Sequence, residues 1–232
     1  MLSIERGLYF AYGSNLCEAD WTKFCRERGA DPNSMNPVGV AWLPDWSLVF
    51  NHFSMSRGGG ALNVEPSKGR TVPGVLFEVT GDGWTLLREK EGAPNIYRET
   101  EVTVLDADGN EVRALTYVLT PDRRKPEHVQ PTKEYVAICR AGYKRFGLDQ
   151  DVLDQAVKGK SISAIDGLFV YGTLMRGEKR STILDRGKRA CALLATTSGS
   201  LNDLGDFPGL LLSGQSTVHG EFCRFEDIED IL

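Results

Sequence analysis

Short apolar segments separated by turn residues dominate the first half of the chain. Residues 7–12 form an apolar run that ends at a glycine, which is typical of a buried strand. Three further segments, 38–50, 61–64 and 72–79, have the same strand character. The pattern therefore predicts several strands that lie close together in sequence.

A hairpin signal follows these segments. Val102 and Val104 alternate with polar neighbours, and Asp108-Gly109 supplies a turn before the strand candidate 112–119. Because a tight turn joins strands that run in opposite directions, this part of the sheet is predicted to be antiparallel.

Besides the helix that carries the candidate carboxylate described below, three segments have helical character. Residues 18–28 place Trp21 and Phe24 on one face, and residues 132–146 carry apolar side chains at helical spacing. Residues 151–157 form a shorter third helix candidate. Since strands outnumber helices and turns are frequent, we expect an α+β fold, a small, mixed and mostly antiparallel β-barrel flanked by helices.

An internal repeat decides the expected architecture. The segment 8–16 has a counterpart in 168–175, because each is an apolar run that ends in Tyr-Gly followed by Ser or Thr. A second similarity follows in the same order, between 71–77 and 217–223. The order of the two similarities indicates a tandem duplication.

The repeat gives a division of the chain into three parts. Residues 1–120 form a first, complete module, 121–165 a helical connector, and 166–232 a second, truncated module. The second module is the shorter copy, so we expect its barrel to be incomplete.

Composition and charge exclude several classes of protein. The 232 residues carry a net charge of −5, which argues against a nucleic-acid surface. No apolar run is long enough to cross a bilayer, and the first residues do not resemble a signal peptide. The five cysteines are scattered, without a C-x-x-C pair, so neither disulfides nor a metal site is predicted. We expect a cytoplasmic protein with no membrane partner.

The first candidate site is the loop after the first strand. It consists of Tyr12, Gly13, Ser14, Asn15 and Leu16. Gly13 allows close approach of a ligand to the backbone, and the N–H groups that follow suit a carboxylate or a developing oxyanion. The same residues are also compatible with an ordinary strand-to-helix turn capped by Ser or Asn.

The second candidate is a carboxylate at the end of a predicted helix. Gly92 is a helix-ending residue, and Trp84 and Leu87 lie on the same helical face as Glu91. Glu91 therefore follows the apolar stripe inward, whereas Glu89 lies off it. A carboxylate in apolar surroundings has a raised pKa and exchanges a proton near neutrality. A partly exposed Glu in the last helical turn is the alternative interpretation.

Together these features resemble the γ-glutamylcyclotransferase superfamily. That family carries a Tyr-Gly-Ser-Asn-Leu loop, matched by residues 12–16, and a catalytic Glu in a Leu-Asp-x-x-Glu-Gly stretch, matched by 87–92. Arg88 stands where the family has Asp. The landmarks 59–66 and 73–77 are also similar.

The resemblance covers residues 7–118, and residues 171–178 are similar to the γ-glutamylamine cyclotransferase branch. It implies an enzyme that releases an amine or amino acid from a γ-glutamyl amide or peptide with formation of 5-oxoproline. Glu91 is then the catalytic acid/base, and the loop binds the substrate and stabilises the oxyanion. No cofactor is implied. Asn63 and Tyr97 are further candidates for shaping the pocket.

Two other functions are compatible with the sequence. One is a cysteine hydrolase or acyltransferase that uses Cys17 with His52 as its base. The other is a non-catalytic tandem barrel that binds a small ligand or a protein.

The second module raises a separate question. Gly74 aligns with Gly220, so the counterpart of Glu91 falls near position 237, beyond Leu232. We therefore expect this module to be catalytically silent. An incomplete barrel has an open sheet edge, which the first module or a second copy in a homodimer is expected to cover.

Overall fold

The computed structural model of the protein describes residues 7–161, 167–225 and 231. The chain divides into two compact units, Met1–Ala164 and Ile165–Leu232. None of the helices in the described ranges is both long and apolar enough to span a membrane.

In its described residues the first unit contains five strands and four α-helices. The strands are β1 (Leu8–Ala11), β2 (Met35–Ser54), β3 (Gly59–Val79), β4 (Tyr97–Asp106) and β5 (Glu111–Leu119). The helices are α1 (Glu18–Arg26), α2 (Gly83–Glu91), α3 (Lys133–Phe146) and α4 (Gln150–Val157).

The five strands close into a barrel in the order β1-β3-β2-β4-β5. Neighbouring strands are antiparallel except β1 and β5, which run parallel and close the barrel through the pairs Leu8–Ala114 and Tyr9–Leu115. The predicted hairpin is confirmed as β4 and β5, with Gly109 at φ +81° in its turn. The predicted mixed, mostly antiparallel barrel with flanking helices is confirmed for this unit.

One strand prediction was wrong in its bounds. The segments 61–64 and 72–79 belong to the single long strand β3, because a bulge accommodates the polar residues between them. The pairing with β2 shifts around Asp45, which has φ +62° and accepts a hydrogen bond from the Gly69 N–H at 2.9 Å. The strand therefore continues where the polar pattern suggested an interruption.

The helices after the barrel share its core. Tyr135, Cys139 and Tyr143 of α3 are buried in the same hydrophobic cluster as the strands. At Gly142 an added Cβ would overlap Leu16, so α3 packs directly on the loop after β1. The division into 1–120, 121–165 and 166–232 stays a prediction, but the helices of the middle segment contribute to the core of the first unit.

The second unit has a three-stranded antiparallel sheet. Its strands are β6 (Gly167–Val170), β7 (Arg189–Asp203) and β8 (Pro208–Phe225), in the order β6-β8-β7. Within the described residues this sheet is partial by comparison with the closed barrel of the first unit.

The duplication is visible in one close backbone contact. A Cβ at Gly74 on β3 would overlap the carbonyl oxygen of Ala11 and the ring of Phe10. A Cβ at Gly220 on β8 would overlap the carbonyl oxygen of Val170 and the ring of Phe169 in the same way. Both copies thus use a glycine to bring the same pair of strands together.

This contact predicts a large stability effect in the first unit. We expect Gly74→Ala to lower the free energy of unfolding by about 1–3 kcal/mol, because a backbone oxygen cannot move away as a side chain does. All four tryptophans of the chain lie between residues 21 and 84, so tryptophan fluorescence during urea denaturation reports on this unit.

Gly39→Ala is the matched control, since this β2 glycine is exposed and an added Cβ meets nothing within 4 Å. Equal urea midpoints for the two variants would contradict the steric argument.

Candidate functional site

A small chamber lies inside the first unit, next to the end of β1. It is lined by residues from four of the five strands, the loop after β1, and helices α2 and α3: Tyr9, Tyr12, Gly13, Ser14, Asn15, Leu62, Glu91, Tyr97, Tyr117 and Tyr135. The structure therefore brings Glu91 together with four of the five predicted loop residues.

The loop reaches the chamber through a tight turn. After β1 ends at Ala11, residues Ser14–Leu16 form one turn of 3₁₀ helix, in which the Leu16 N–H donates to the Gly13 carbonyl at 3.1 Å. The Leu16 side chain is fully buried and lies outside the chamber lining. Of the predicted loop residues, Leu16 thus holds the turn in place instead of facing the chamber.

Glu91 is the last residue of α2. Gly92 ends the helix in the left-handed conformation, at φ +62°, as its position in the sequence predicts. Leu87, one turn earlier, is fully buried, so the helix directs the same face inward at Glu91. Arg88, the departure from the family pattern, pairs with Glu99 at 2.7 and 3.1 Å and ties α2 to β4.

The Asn15 amide connects the loop to the carboxylate. Its Nδ2 donates to Glu91 Oε1 at 2.7 Å and to the Tyr9 hydroxyl at 2.8 Å. Asn15 is only 4% exposed, and its Oδ1 has no hydrogen-bond partner among the described residues. A buried amide oxygen that is left unpaired costs free energy, which a ligand donor in the chamber would recover.

Burial raises the pKa of the Glu91 carboxyl above its usual value. The charge of Lys90, the hydrogen bond from Asn15 and the charge of Arg57 oppose this shift without cancelling it. The group is therefore suited to accept and return a proton at a pH closer to neutrality than an exposed Glu.

Half of the residues that line the chamber are tyrosines. Burial raises the pKa of Tyr9, Tyr12, Tyr97 and Tyr135 well above the usual value, so these phenols stay protonated. Two of them are fixed by backbone acceptors, since Tyr12 donates to the carbonyl of Tyr117 at 2.6 Å and Tyr97 to that of Leu62 at 2.7 Å.

Most of these tyrosines were missed by the sequence analysis. Tyr97 was expected near the pocket, and it does line the chamber. Tyr9 precedes Tyr12 by three residues on the same strand segment, and its proximity to the loop was the one available signal. Tyr117 and Tyr135 reach the chamber only through the closure of the barrel and the packing of α3.

The chamber adjoins a larger cleft that carries charged residues. Ser14, Glu91, Tyr97 and Tyr135 line both cavities, so the two meet beside the carboxylate. The other residues of the cleft are Asp20, Lys23, Phe24, Glu27, Arg28, Ser54, Ser56, Arg57, Ala61, Glu89 and Lys90.

The two residues of the cysteine–histidine alternative lie outside the chamber. Cys17 is buried at the start of α1, outside the lining of the chamber. The His52 ring lies 3.2 Å from the Arg123 carbonyl oxygen through Nδ1, and it also lies outside that lining.

Asn63, proposed to shape the pocket, is fully buried but does not line the chamber. It donates to Asn51 at 3.2 Å and accepts from the Leu119 N–H at 3.0 Å. Within the described residues, no group of three or more His, Cys, Asp or Glu side chains is arranged to hold a metal ion.

The equivalent loop of the second unit has a different arrangement. Gly172 has φ +68°, and the following residues form a short 3₁₀ turn. The carboxylate of Glu221, on β8, is buried and accepts a hydrogen bond from the Arg176 N–H at 2.8 Å. This buried carboxylate binds the loop backbone itself.

The chain is similar in structure to several solved proteins. A structure described as a gamma-glutamyl cyclotransferase is 27% identical, with a TM-score of 0.56, over 68% of this chain and 90% of that chain. The structure of an uncharacterized human protein, loc79017, is 28% identical, with a TM-score of 0.55, over 68% of this chain and 90% of that chain. YkqA from Bacillus subtilis, at 23% identity and a TM-score of 0.53 over 67% of this chain and 55% of that chain, shares the fold. No curated protein sequence matches.

The family comparison extends over both units. The model of the family "Gamma-glutamyl cyclotransferase, AIG2-like" matches residues 9–137 and 168–232, and the two separate segments fit a tandem module. The family and the structure described as a gamma-glutamyl cyclotransferase, at 27% identity, support a cyclotransferase-type role. The chain belongs to the gamma-glutamyl cyclotransferase, AIG2-like family.

Proposed function

We propose that the first unit converts a γ-glutamyl amide or peptide into 5-oxoproline and a free amine, with Glu91 as the acid/base. The observation that carries this proposal is the half-buried Glu91 carboxylate, which lines both the chamber and the cleft, has a raised pKa, and is hydrogen-bonded to the loop through Asn15. Membership in the family supplies the reaction class.

In the proposed reaction Glu91 first takes a proton from the α-ammonium group of the substrate. The free amine then attacks the γ-carbonyl carbon, a C–N bond forms, and the carbonyl oxygen gains negative charge. Glu91 passes its proton to the nitrogen of the leaving amine as the old C–N bond breaks. The ring nitrogen then gives its second proton to the Glu91 carboxylate, which passes it to the released amine. The amine therefore departs as an ammonium ion, Glu91 is ionised again, and the reaction consumes no net proton.

The loop after β1 supplies the remaining groups. The backbone N–H groups of Gly13, Ser14 and Asn15 stabilise the oxyanion, whereas the Leu16 N–H is already bonded within the turn. The unpaired Asn15 Oδ1 accepts a hydrogen bond from the α-ammonium group and places it beside Glu91.

Ring closure within one molecule makes modest demands on the protein. The nucleophile and the carbonyl already belong to the same substrate, so the chamber has only to select one conformer and move protons.

All five cysteines are free, which supports the assignment of the reaction to the cytoplasm. The alternative, a tandem barrel that binds γ-glutamyl compounds without turnover, differs by the absence of 5-oxoproline release.

The first test of the proposal is Glu91→Gln in the full chain. We expect 5-oxoproline release from γ-glutamyl substrates to fall about 10²–10⁴-fold, because the amide has nearly the same shape but cannot take a proton. Glu89→Gln is the matched control, since Glu89 is exposed at 55% and pairs with Arg28 at the surface. Wild-type turnover by Glu91→Gln would exclude Glu91 as the acid/base.

The second test is the pH dependence of kcat/KM. Glu91 must be ionised to accept a proton, so activity rises as the pH passes upward through its pKa. Because burial raises this pKa, we expect the midpoint of the acid limb above about 4.3, the value of an unperturbed Glu. An acid limb at or below that value would show that the carboxylate is not shielded during the reaction.

The third test concerns the space beside the loop. A Cβ on Gly13 would lie at ordinary contact distance, 3.7 Å, from Leu62 Cδ1, so the fold tolerates a side chain there. We expect Gly13→Val to abolish 5-oxoproline binding, measured by calorimetry, because its branched side chain occupies the chamber. Gly13→Ala, the smaller step, serves as the control for folding. Retained affinity in Gly13→Val would place the ligand away from this loop.

A further inference from the structure

A second cavity of the first unit lies apart from the chamber and the cleft. Its lining comes from residues 48–51 of β2, Glu65 of β3, residues 124–128 after β5, and the end of α4 with the residues that follow it. Among the described residues it shares no lining residue with the chamber or the cleft. Its volume of about 460 Å³ falls within the range of about 300–1,000 Å³ that small-molecule pockets occupy. We call it the β2–α4 cavity.

The β2–α4 cavity forms where the segment after β5 arches over β2. The Lys125 N–H donates to the Asn51 carbonyl at 2.7 Å, and the Val129 N–H donates to the Phe50 carbonyl at 2.8 Å. The two acceptors are neighbours on β2, whereas the two donors are four residues apart. Residues 126–128 therefore arch away from the strand and leave space beside it.

Part of the lining is apolar. The apolar members come from the strand, the arch and the helix: Leu48, Val49, Phe50, Pro126 and Ala156. The ring of His128 stands edge-on to the Phe50 ring, with 6.2 Å between their centroids. Such a surface accommodates an aliphatic or aromatic group that leaves water.

One pair of opposite charges lies in the same wall. Arg124 Nη1 is 3.8 Å from Glu65 Oε1, which is longer than a hydrogen bond. The two side chains are exposed by only 26% and 34%. A ligand can therefore contact both charged groups without first breaking a hydrogen bond between them.

Both charged groups are fixed before any ligand arrives. Arg124 donates from Nε and Nη2 to the Leu119 carbonyl, at 3.2 and 3.0 Å. Glu65 accepts from Asn51 Nδ2 at 2.7 Å, and Asn51 Oδ1 accepts from Asn63 at 3.2 Å. Asn63 in turn accepts from the Leu119 N–H at 3.0 Å. The cation and the anion are thus tied to the same residue, and a ligand loses little free energy by ordering them.

The other charged residues of the lining differ in their exposure. Lys125, Glu127 and Lys160 are all exposed to solvent, which screens their charges. Arg124 and Glu65 therefore determine which charges the cavity favours. A ligand with one charge would pair with one of these groups and be repelled by the other, whereas a zwitterion pairs with both.

We propose that the β2–α4 cavity binds a free α-amino acid with an apolar side chain. The ammonium and carboxylate groups of an α-amino acid are attached to one carbon, so they can lie side by side against Glu65 and Arg124. The carboxylate accepts from the guanidinium, the ammonium donates to Glu65, and the side chain contacts the apolar part of the lining. This binding is independent of the reaction proposed at Glu91.

An NMR titration of the ¹⁵N-labelled full chain locates the ligand. We expect L-phenylalanine and L-leucine to shift the amide signals of Asn51, Lys125 and Val129, because these residues hold the arch of the cavity. Shifts confined to amides of the chamber and the cleft, such as those of Gly13 and Arg57, would overturn the proposal. So would the absence of shifts at the cavity with both amino acids.

Two analogues of L-phenylalanine test the pair of charges. 3-Phenylpropanoate lacks the ammonium group and 2-phenylethylamine lacks the carboxylate, so each should bind at the cavity with a Kd about tenfold higher. In Glu65→Gln the Kd of L-phenylalanine should rise about tenfold, and that of 3-phenylpropanoate should not rise. In Arg124→Gln the Kd of L-phenylalanine should rise similarly, and that of 2-phenylethylamine should not. Equal affinities of the wild-type chain for all three compounds would overturn the proposal, because only the apolar surface would then be used.

Two further variants control for folding and for general charge. Arg124→Lys keeps the charge but loses the planar fork, so it should retain part of the affinity for L-phenylalanine even if Arg124→Gln unfolds. Arg123→Gln is the matched control, since this neighbouring arginine is 49% exposed and lies outside the lining of the cavity. Its affinity for all three compounds should equal that of the wild-type chain. A loss as large as that in Arg124→Gln would contradict a specific role of Arg124.

Discussion

The hydrogen bond from Asn15 to the Glu91 carboxylate joins two segments that lie 76 residues apart in the chain. One end depends on the turn after β1, and the other on the point at which α2 stops. The barrel has to bring both ends within hydrogen-bonding distance, 2.7 Å in this structure. The packing of α3 on Leu16 and the left-handed Gly92 serve this one contact, because each fixes the backbone beside one of its partners.

The same region balances two opposing influences on one carboxylate. Burial favours the neutral form of Glu91, whereas Lys90, Asn15 and Arg57 favour the ionised form. Asp20 holds both cations by direct contact, so their positive charge is partly neutralised before it reaches Glu91. The negative charge of Asp20 also raises the pKa of Glu91 directly. A general base has to be ionised to accept a proton and must then give that proton back. Its pKa therefore has to lie between the value that burial alone would produce and the value that the cations alone would produce.

The residues of this site that follow from local sequence patterns could be predicted, whereas those that tertiary contacts bring in could not. The position of Glu91 followed from the helical spacing to Leu87 and from Gly92, and the loop followed from its glycine after an apolar run. Tyr117, Tyr135 and Arg57 had no comparable signal, since they reach the site through strand pairing and helix packing that no local spacing encodes. The continuous strand β3 was missed for a similar reason, because the bulge at Asp45 depends on the partner strand.

The two units share one backbone contact but differ in the side chain that follows it. Gly74 and Gly220 make the same strand contact, so the backbone frame persists in both units. The next residue is Val75 in the first unit and Glu221 in the second, where the buried carboxylate binds the Arg176 N–H. A carboxylate committed to the loop backbone stabilises that loop but loses an acceptor that a substrate would need. In the first unit, where the equivalent residue is the apolar Val75, the loop is held instead by the hydrogen bond from Asn15 to Glu91 and by the buried Leu16 side chain.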